Sequence, residues 1–172
     1  HVYTFENGAE AVRSYRGDGI GLKRLRALGV LLVVITSEIG QLGPLEHRDG
    51  LSFPSRLPTV ADIRCAKLGI KCVHATDKLA ALRREAGYIP LGHVAYIGND
   101  LNDLECLEAV GVPIVVNDAH PTLLDRARSV YHWQPGDFII TGYLGGAGAV
   151  REVCDLIAHA IERYLSDPAN DP

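Results

Sequence analysis

Methionine is absent from this 172-residue chain, and the sequence opens on His1 inside what reads as a structural element, so the true start is expected upstream. Long apolar runs are absent too. The longest, Val30–Ile35 (VLLVVI), is far short of the roughly 20 residues a membrane span needs. No signal peptide precedes it, which predicts a cytoplasmic protein with no membrane partner. Basic runs are missing: 17 Lys and Arg stand against 21 Asp and Glu, so nucleic acid is not an expected partner. The four cysteines, Cys65, Cys72, Cys106 and Cys154, show no CxxC spacing and each lies in an apolar segment. Buried free thiols in a reducing compartment are expected, in preference to disulfides or zinc.

What is present is a soluble-type composition, 47% hydrophobic and 22% charged, of one ordinary domain. Val2–Phe5 and Ala11–Tyr15 flank Glu6-Asn7-Gly8, a hairpin signal. A helical pattern runs from Asp18 to Gly29, and Val30–Ile35 reads as a parallel strand covered on both faces. Residues 39–58 hold three prolines and three glycines without sustained periodicity, and read as a long excursion, not a packed element. Helices are expected at 59–68, 77–86, 102–110, 122–128 and 149–165. Strands are expected at 70–74, 93–97, 113–116 and 130–132, with a loop through QPGDFIITGYLGGAG before the last helix. Residues 1–165 then form one domain, with 1–16 as the hairpin and 166–172 as a polar tail. The alternation predicts an α/β fold, a Rossmann-like, mostly parallel sheet with helices on both faces. On such sheets ligands bind beyond the carboxyl ends of the strands.

Three of those ends carry polar groups. Thr36-Ser37 follows VLLVVI, and its hydroxyls suit an anionic oxygen. Thr76-Asp77-Lys78 follows KCVHA, placing an ammonium at a helix N-terminus that also favours phosphate. Gly98-Asn99-Asp100-Leu101-Asn102-Asp103 follows HVAYI, a cluster of hard oxygen ligands suited to Mg²⁺. Singly, each has a plainer reading: a turn, a solvated helix lysine, an N-cap. In this order, hydroxyl, lysine and carboxylates describe a phosphoryl-transfer site.

This set resembles the second, third and fourth motifs of the haloacid dehalogenase-like phosphatases. The stretches VYTFENGAEAVRSYRGDGIGLKRLRALGV, LGIKCVHATDKLAAL, VAYIGNDLNDLECLEAVGVPIVVNDAHP and GGAGAVREVCDLI are similar to one cap-less branch. That branch holds the 3-deoxy-D-manno-octulosonate (KDO) 8-phosphate phosphatases, the sialic-acid 9-phosphate phosphatases and the carboxy-terminal domain of some CMP-sialic acid synthetases. The resemblance implies a Mg²⁺-dependent hydrolase of a sugar-acid phosphate that works through an aspartyl-phosphate. Thr36 and Ser37 would bind phosphoryl oxygens, Lys78 would bridge nucleophile and phosphate, and Asn99, Asp100 and Asp103 would complete the metal shell. Arg151 would contact substrate or cap a helix. The hairpin would pack between subunits of a homotetramer.

The chain departs from that pattern in three places. The family's first motif, Asp-x-Asp-Gly on the central strand, supplies the nucleophile. No Asp-x-Asp occurs here, so the motif is expected upstream of His1. Asn99 stands where most active members carry Asp, and an amide ligates Mg²⁺ less strongly. Residues 39–57 and about 135–144 are longer than the branch requires, and could serve as a lid or a subunit contact. The first two departures keep a rival reading open, a non-catalytic oligomerisation domain.

Overall fold

A computed structural model describes residues 2–4, 6, 10–12, 14–38, 40, 42–48, 51–128, 137–167 and 169. β1 (Val2–Thr4) and β2 (Glu10–Val12) form the expected antiparallel hairpin, and its Asn7-Gly8 turn lies outside the described residues. Next come α1 (Gly17–Ala27) and β3 (Val33–Thr36). The expected strand at 30–35 is thus set back toward its polar end. The aliphatic run is only half-buried through β3, and Leu31 is exposed, so the double covering expected for it is incomplete.

Residues 39–58 are not the structureless excursion their prolines suggest. β4 (Leu42–Arg48) and β5 (Leu51–Arg56) pair antiparallel as a separate two-stranded ribbon. Pro44 falls in the register shift between Leu42 and Leu45, and Pro54 lies on a ribbon whose strands, among the described residues, each keep an open edge; both settings tolerate a missing N–H. Asp49-Gly50, between the two strands, is the dipeptide that favours a tight hairpin, and was the usable signal.

α2 (Val60–Leu68) starts at a capping box in which Thr59 and Asp62 satisfy each other's backbone N–H groups, and it ends at Gly69 in the left-handed region. β6 (Lys71–His74), α3 (Lys78–Ala86), β7 (Ala95–Gly98), a 3₁₀ turn (Leu101–Asp103), α4 (Leu104–Ala109), β8 (Val112–Val115) and α5 (Pro121–Arg128) follow within a few residues of expectation. The strand expected at 130–132 lies outside the described residues. Part of the expected loop at 134–148 is instead β9 (Ile139–Ile140), parallel to β8. α6 (Ala149–Ser166) closes the chain. No helix among the described residues is long and apolar enough to cross a membrane.

The parallel framework comes in two pieces, β3-β6 and β7-β8-β9. Leu32 packs toward α1 and α6, in a cluster with Leu25, Cys154 and Ala158, whereas Ile35 packs with Leu82 and Cys106 of α3 and α4. Positions of opposite parity on an extended segment point to opposite faces, so helices lie on both sides, as expected. Leu82, Cys106 and Val110 also gather Tyr96 and Ile35, so side chains join the two pieces where the backbone does not. Among the described residues, neither β3 nor β7 has a hydrogen-bonded strand on the edge facing away from its own sheet. Two parallel edges therefore border one seam.

Candidate active site

The polar strand-end residues singled out in the sequence lie where this seam meets the carboxyl ends of the strands, and Ser37, Lys78 and Asp103 are joined there through Asn102. Asp77 caps α3, its carboxylate accepting from the Ala80 N–H at 2.8 Å, and this fixes Lys78 on the first turn. Lys78 Nζ donates to Asp103 Oδ1 at 2.7 Å and to Asn102 Oδ1 at 3.1 Å. Asn102 in turn donates through Nδ2 to Ser37 Oγ at 3.1 Å. One chain of hydrogen bonds thus runs from the end of β3 to the turn after β7, across strands that share no backbone bond.

Asp103 is 3% exposed and fully committed. Oδ1 accepts from Lys78 and, at 2.8 Å, from the Tyr96 hydroxyl; Oδ2 accepts from the N–H groups of Asn99 and Asp100 at 3.0 and 3.2 Å. These are the roughly four bonds a carboxylate can accept, so metal contact by Asp103 would have to displace one of them. Burial alone would raise its pKa, but Lys78, the Asn99 amide and Tyr96 outweigh that and hold it below the usual carboxylate range. Burial, then the neighbouring Asp103, raises the Tyr96 phenol well above its ordinary value, so it stays a donor.

A carboxyl depressed on folding stabilises the fold above its unfolded pKa, about 3.9 for Asp, and that contribution is lost as pH falls through the folded value. The stability difference between wild type and Asp103→Asn is therefore expected to stay flat at neutral pH and to shrink below about pH 4. Urea midpoints for both proteins across that range provide the measurement.

The other expected residues divide. Thr36 sits at the end of β3, its Oγ1 accepting from the Glu38 N–H at 3.1 Å in a local turn. Asn99 and Asp100 are exposed beside the seam, and Asp100 Oδ1 also accepts from the Leu101 N–H at 2.7 Å. Arg151 is held elsewhere. Its Nε donates to Asp155 at 2.6 Å, Nη1 reaches the Gly17 carbonyl at 3.5 Å, and its N–H donates to the buried Asp18 at 3.2 Å. Those contacts tie α6 to α1 and do not include the Lys78 network. Tyr96 and Asn102 were not singled out by sequence. A tyrosine inside the otherwise aliphatic HVAYI was the signal for the first; Asn102 gave none beyond its place in the motif.

The site is built around oxygen acceptors, one buried ammonium and a carboxylate held ionised at the mouth of a parallel sheet. Residues 71–137 match the family model of the haloacid dehalogenase-like hydrolases. The chain is 32% identical over 160 residues to the 3-deoxy-D-manno-octulosonate 8-phosphate phosphatase KdsC of Salmonella typhi, covering 91% of this chain and 70% of that protein. It belongs to the haloacid dehalogenase-like hydrolase family. Among solved structures, it is similar to the KDO 8-phosphate phosphatase of Moraxella catarrhalis in complex with magnesium ion, phosphate ion and KDO. The TM-score is 0.68 and the identity 31%, over 96% of this chain and 83% of that one. The cobalt-bound phosphatase YrbI of Haemophilus influenzae is similar too, with a TM-score of 0.65 and 27% identity over 98% of this chain and 85% of that one. The family assignment and the α/β fold read from the sequence both stand.

Proposed function

We propose that the chain carries the binding half of a Mg²⁺-dependent phosphatase for a sugar-acid phosphate monoester, of the KDO 8-phosphate or sialic-acid 9-phosphate type. The observation that carries this is the Ser37-Asn102-Lys78-Asp103 network across the seam. Lys78 has three N–H donors, and two go to Asn102 and Asp103. The third is left for a phosphoryl oxygen, and Asp103 holds the ammonium in place. The Lys78 side chain is only 10% exposed, so the charge acts where water screens it little. Thr36 and Ser37 offer hydroxyl donors from the facing strand end.

The donor set suits the metal. The amide oxygen of Asn99 and the carboxylate of Asp100 are hard oxygen ligands of the kind Mg²⁺ takes, and they stand exposed beside the ammonium. When bound, Mg²⁺ would neutralise phosphate charge and orient the ester. Asp103 would serve the site by positioning Lys78. The nucleophilic carboxylate, destined to become the aspartyl-phosphate, belongs on a strand paired between β3 and β7, and the two facing edges are what such a strand requires. KdsC-type relatives carry the printed activity, which supports the substrate class. The β1-β2 hairpin pairs only with itself among the described residues. A lone two-stranded hairpin is marginal in water, which supports its packing between subunits of a cytoplasmic homotetramer.

The test is phosphate release from a panel of sugar-acid phosphates by the full-length gene product. Turnover is expected to vanish with EDTA and return with Mg²⁺; no turnover above a Lys78→Ala control under any metal would overturn the proposal. One observation favours the second reading, a non-catalytic oligomerisation domain: Asn99 offers an amide oxygen, a weaker Mg²⁺ ligand than a carboxylate. Catalysis by the full-length product removes it.

A further inference from the structure

A second cluster of donors lies away from the Lys78 network, on the outer side of the β3-β6 pair. Asp62 stands in the first turn of α2, and Cys72 and His74 are two residues apart on β6, so their side chains share a face. Asp62 Oδ1 is 2.7 Å from His74 Nε2, Cys72 Sγ is 4.0 Å from the same nitrogen, and the three ligand atoms lie within 4.8 Å of one another. The buried thiol of Cys65, one helical turn after Asp62, borders Cys72. The expectation of buried free thiols holds for Cys65, Cys106 and Cys154, but Cys72 is only half-buried, beside an imidazole and a carboxylate.

His74 is oriented as a metal-binding histidine is. Its Nδ1 lies 2.8 Å from the Glu38 carbonyl oxygen, which calls for a hydrogen on Nδ1 and turns Nε2 toward Asp62 and Cys72. A ring N–H donated to a backbone carbonyl is the usual outer support of a zinc-bound imidazole. We propose that Asp62, Cys72 and His74 bind one zinc ion, with a water molecule in its fourth position. Zinc holds sulfur at about 2.3 Å and nitrogen or oxygen at about 2.0–2.2 Å, which needs movements of roughly half an ångström from the present distances. The Cys72 thiol gives up its proton, and the one shared between His74 Nε2 and the Asp62 carboxylate leaves too, so two protons are released as the ion enters. Soft sulfur and imidazole donors separate this ion from the Mg²⁺ proposed at the oxygen-only site. The bound ion would pin the first turn of α2 to the end of β6. Through Glu38, it would also steady the loop that follows Thr36 and Ser37.

Cobalt(II) reads this directly and does not depend on phosphatase activity. The chain, stripped of metal under reducing conditions, is titrated with Co²⁺ and then with Zn²⁺. The expected result is one near-ultraviolet sulfur-to-cobalt band per chain, displaced by stoichiometric Zn²⁺. Cys72→Ser should abolish it, and His74→Gln should weaken binding by about tenfold or more. Asp100→Asn, which alters only the oxygen-rich site, should leave the band intact. Circular dichroism confirms that each variant is folded. No sulfur-to-cobalt band in the wild type, or a band that survives Cys72→Ser, overturns the proposal; so does its loss in a folded Asp100→Asn protein.

Discussion

Lys78→Met is expected to remove nearly all turnover and to cost about 3 kcal/mol of stability, toward the lower end of what breaking a buried ion pair costs. The low end applies because Asp103 keeps Tyr96 and two backbone N–H groups after the ammonium is gone. The catalytic loss is expected at about 10²–10³-fold, the scale seen when one preorganised charge-stabilising donor is removed. The double variant Lys78→Met/Asp103→Asn separates the two effects. With no buried charge left unpaired it should regain much of the stability, yet turnover should stay low because no cation faces the phosphate. Urea unfolding and phosphate-release kinetics on both proteins check this. If the double variant regains turnover, Lys78 serves only to neutralise Asp103.

Leu107→Ala is expected to cost about 2–5 kcal/mol, the range for deleting a large buried aliphatic side chain. Leu107 is 0% exposed and packs with Val115, Val116, Leu123 and Ala149, so β8, α5 and α6 would line the resulting cavity. It also supports the site from below: a Cβ added at Gly98 would meet Leu107 at 3.2 Å and the Asp103 side chain at 2.7 Å. The Gly98–Asp103 turn therefore rests on Leu107, and the variant should lower turnover as well as the urea midpoint, at an unchanged denaturant slope. Leu156→Ala, at a site 59% exposed, should stay within about 0.5 kcal/mol of wild type.

Local signals in the sequence were reliable. Thr59 with Asp62, Asp77 before Lys78, and Gly69 after α2 all do what capping chemistry predicts, because a cap depends on residues within one turn. The ordered polar strand ends were legible for the same reason, since β3, α3 and the turn after β7 each form from contiguous residues. Long-range pairing was not. Lys78 and Asp103 are 25 residues apart, and nothing local says that Asp103 would spend all its acceptors on Lys78, Tyr96 and two amides. The β4-β5 ribbon was hidden because prolines count as breakers until the partner strand is known. β9, only two residues long, gains its identity from lying beside β8. Arg151 was open between a substrate contact and a helix cap, and the choice depended on its distant partners; the fold engages its side chain with Asp155 and Gly17.

The α1-α6 packing carries a consequence for how the chain is made. Arg24 bonds Glu162 across 138 residues, and Leu25 finds its cover in Cys154 and Ala158. During synthesis at about 5–20 residues per second, α1 waits roughly 7 to 28 seconds for the helix that covers it. Its apolar stripe is open to chaperones for all of that time, and docking of α6 ends the exposure.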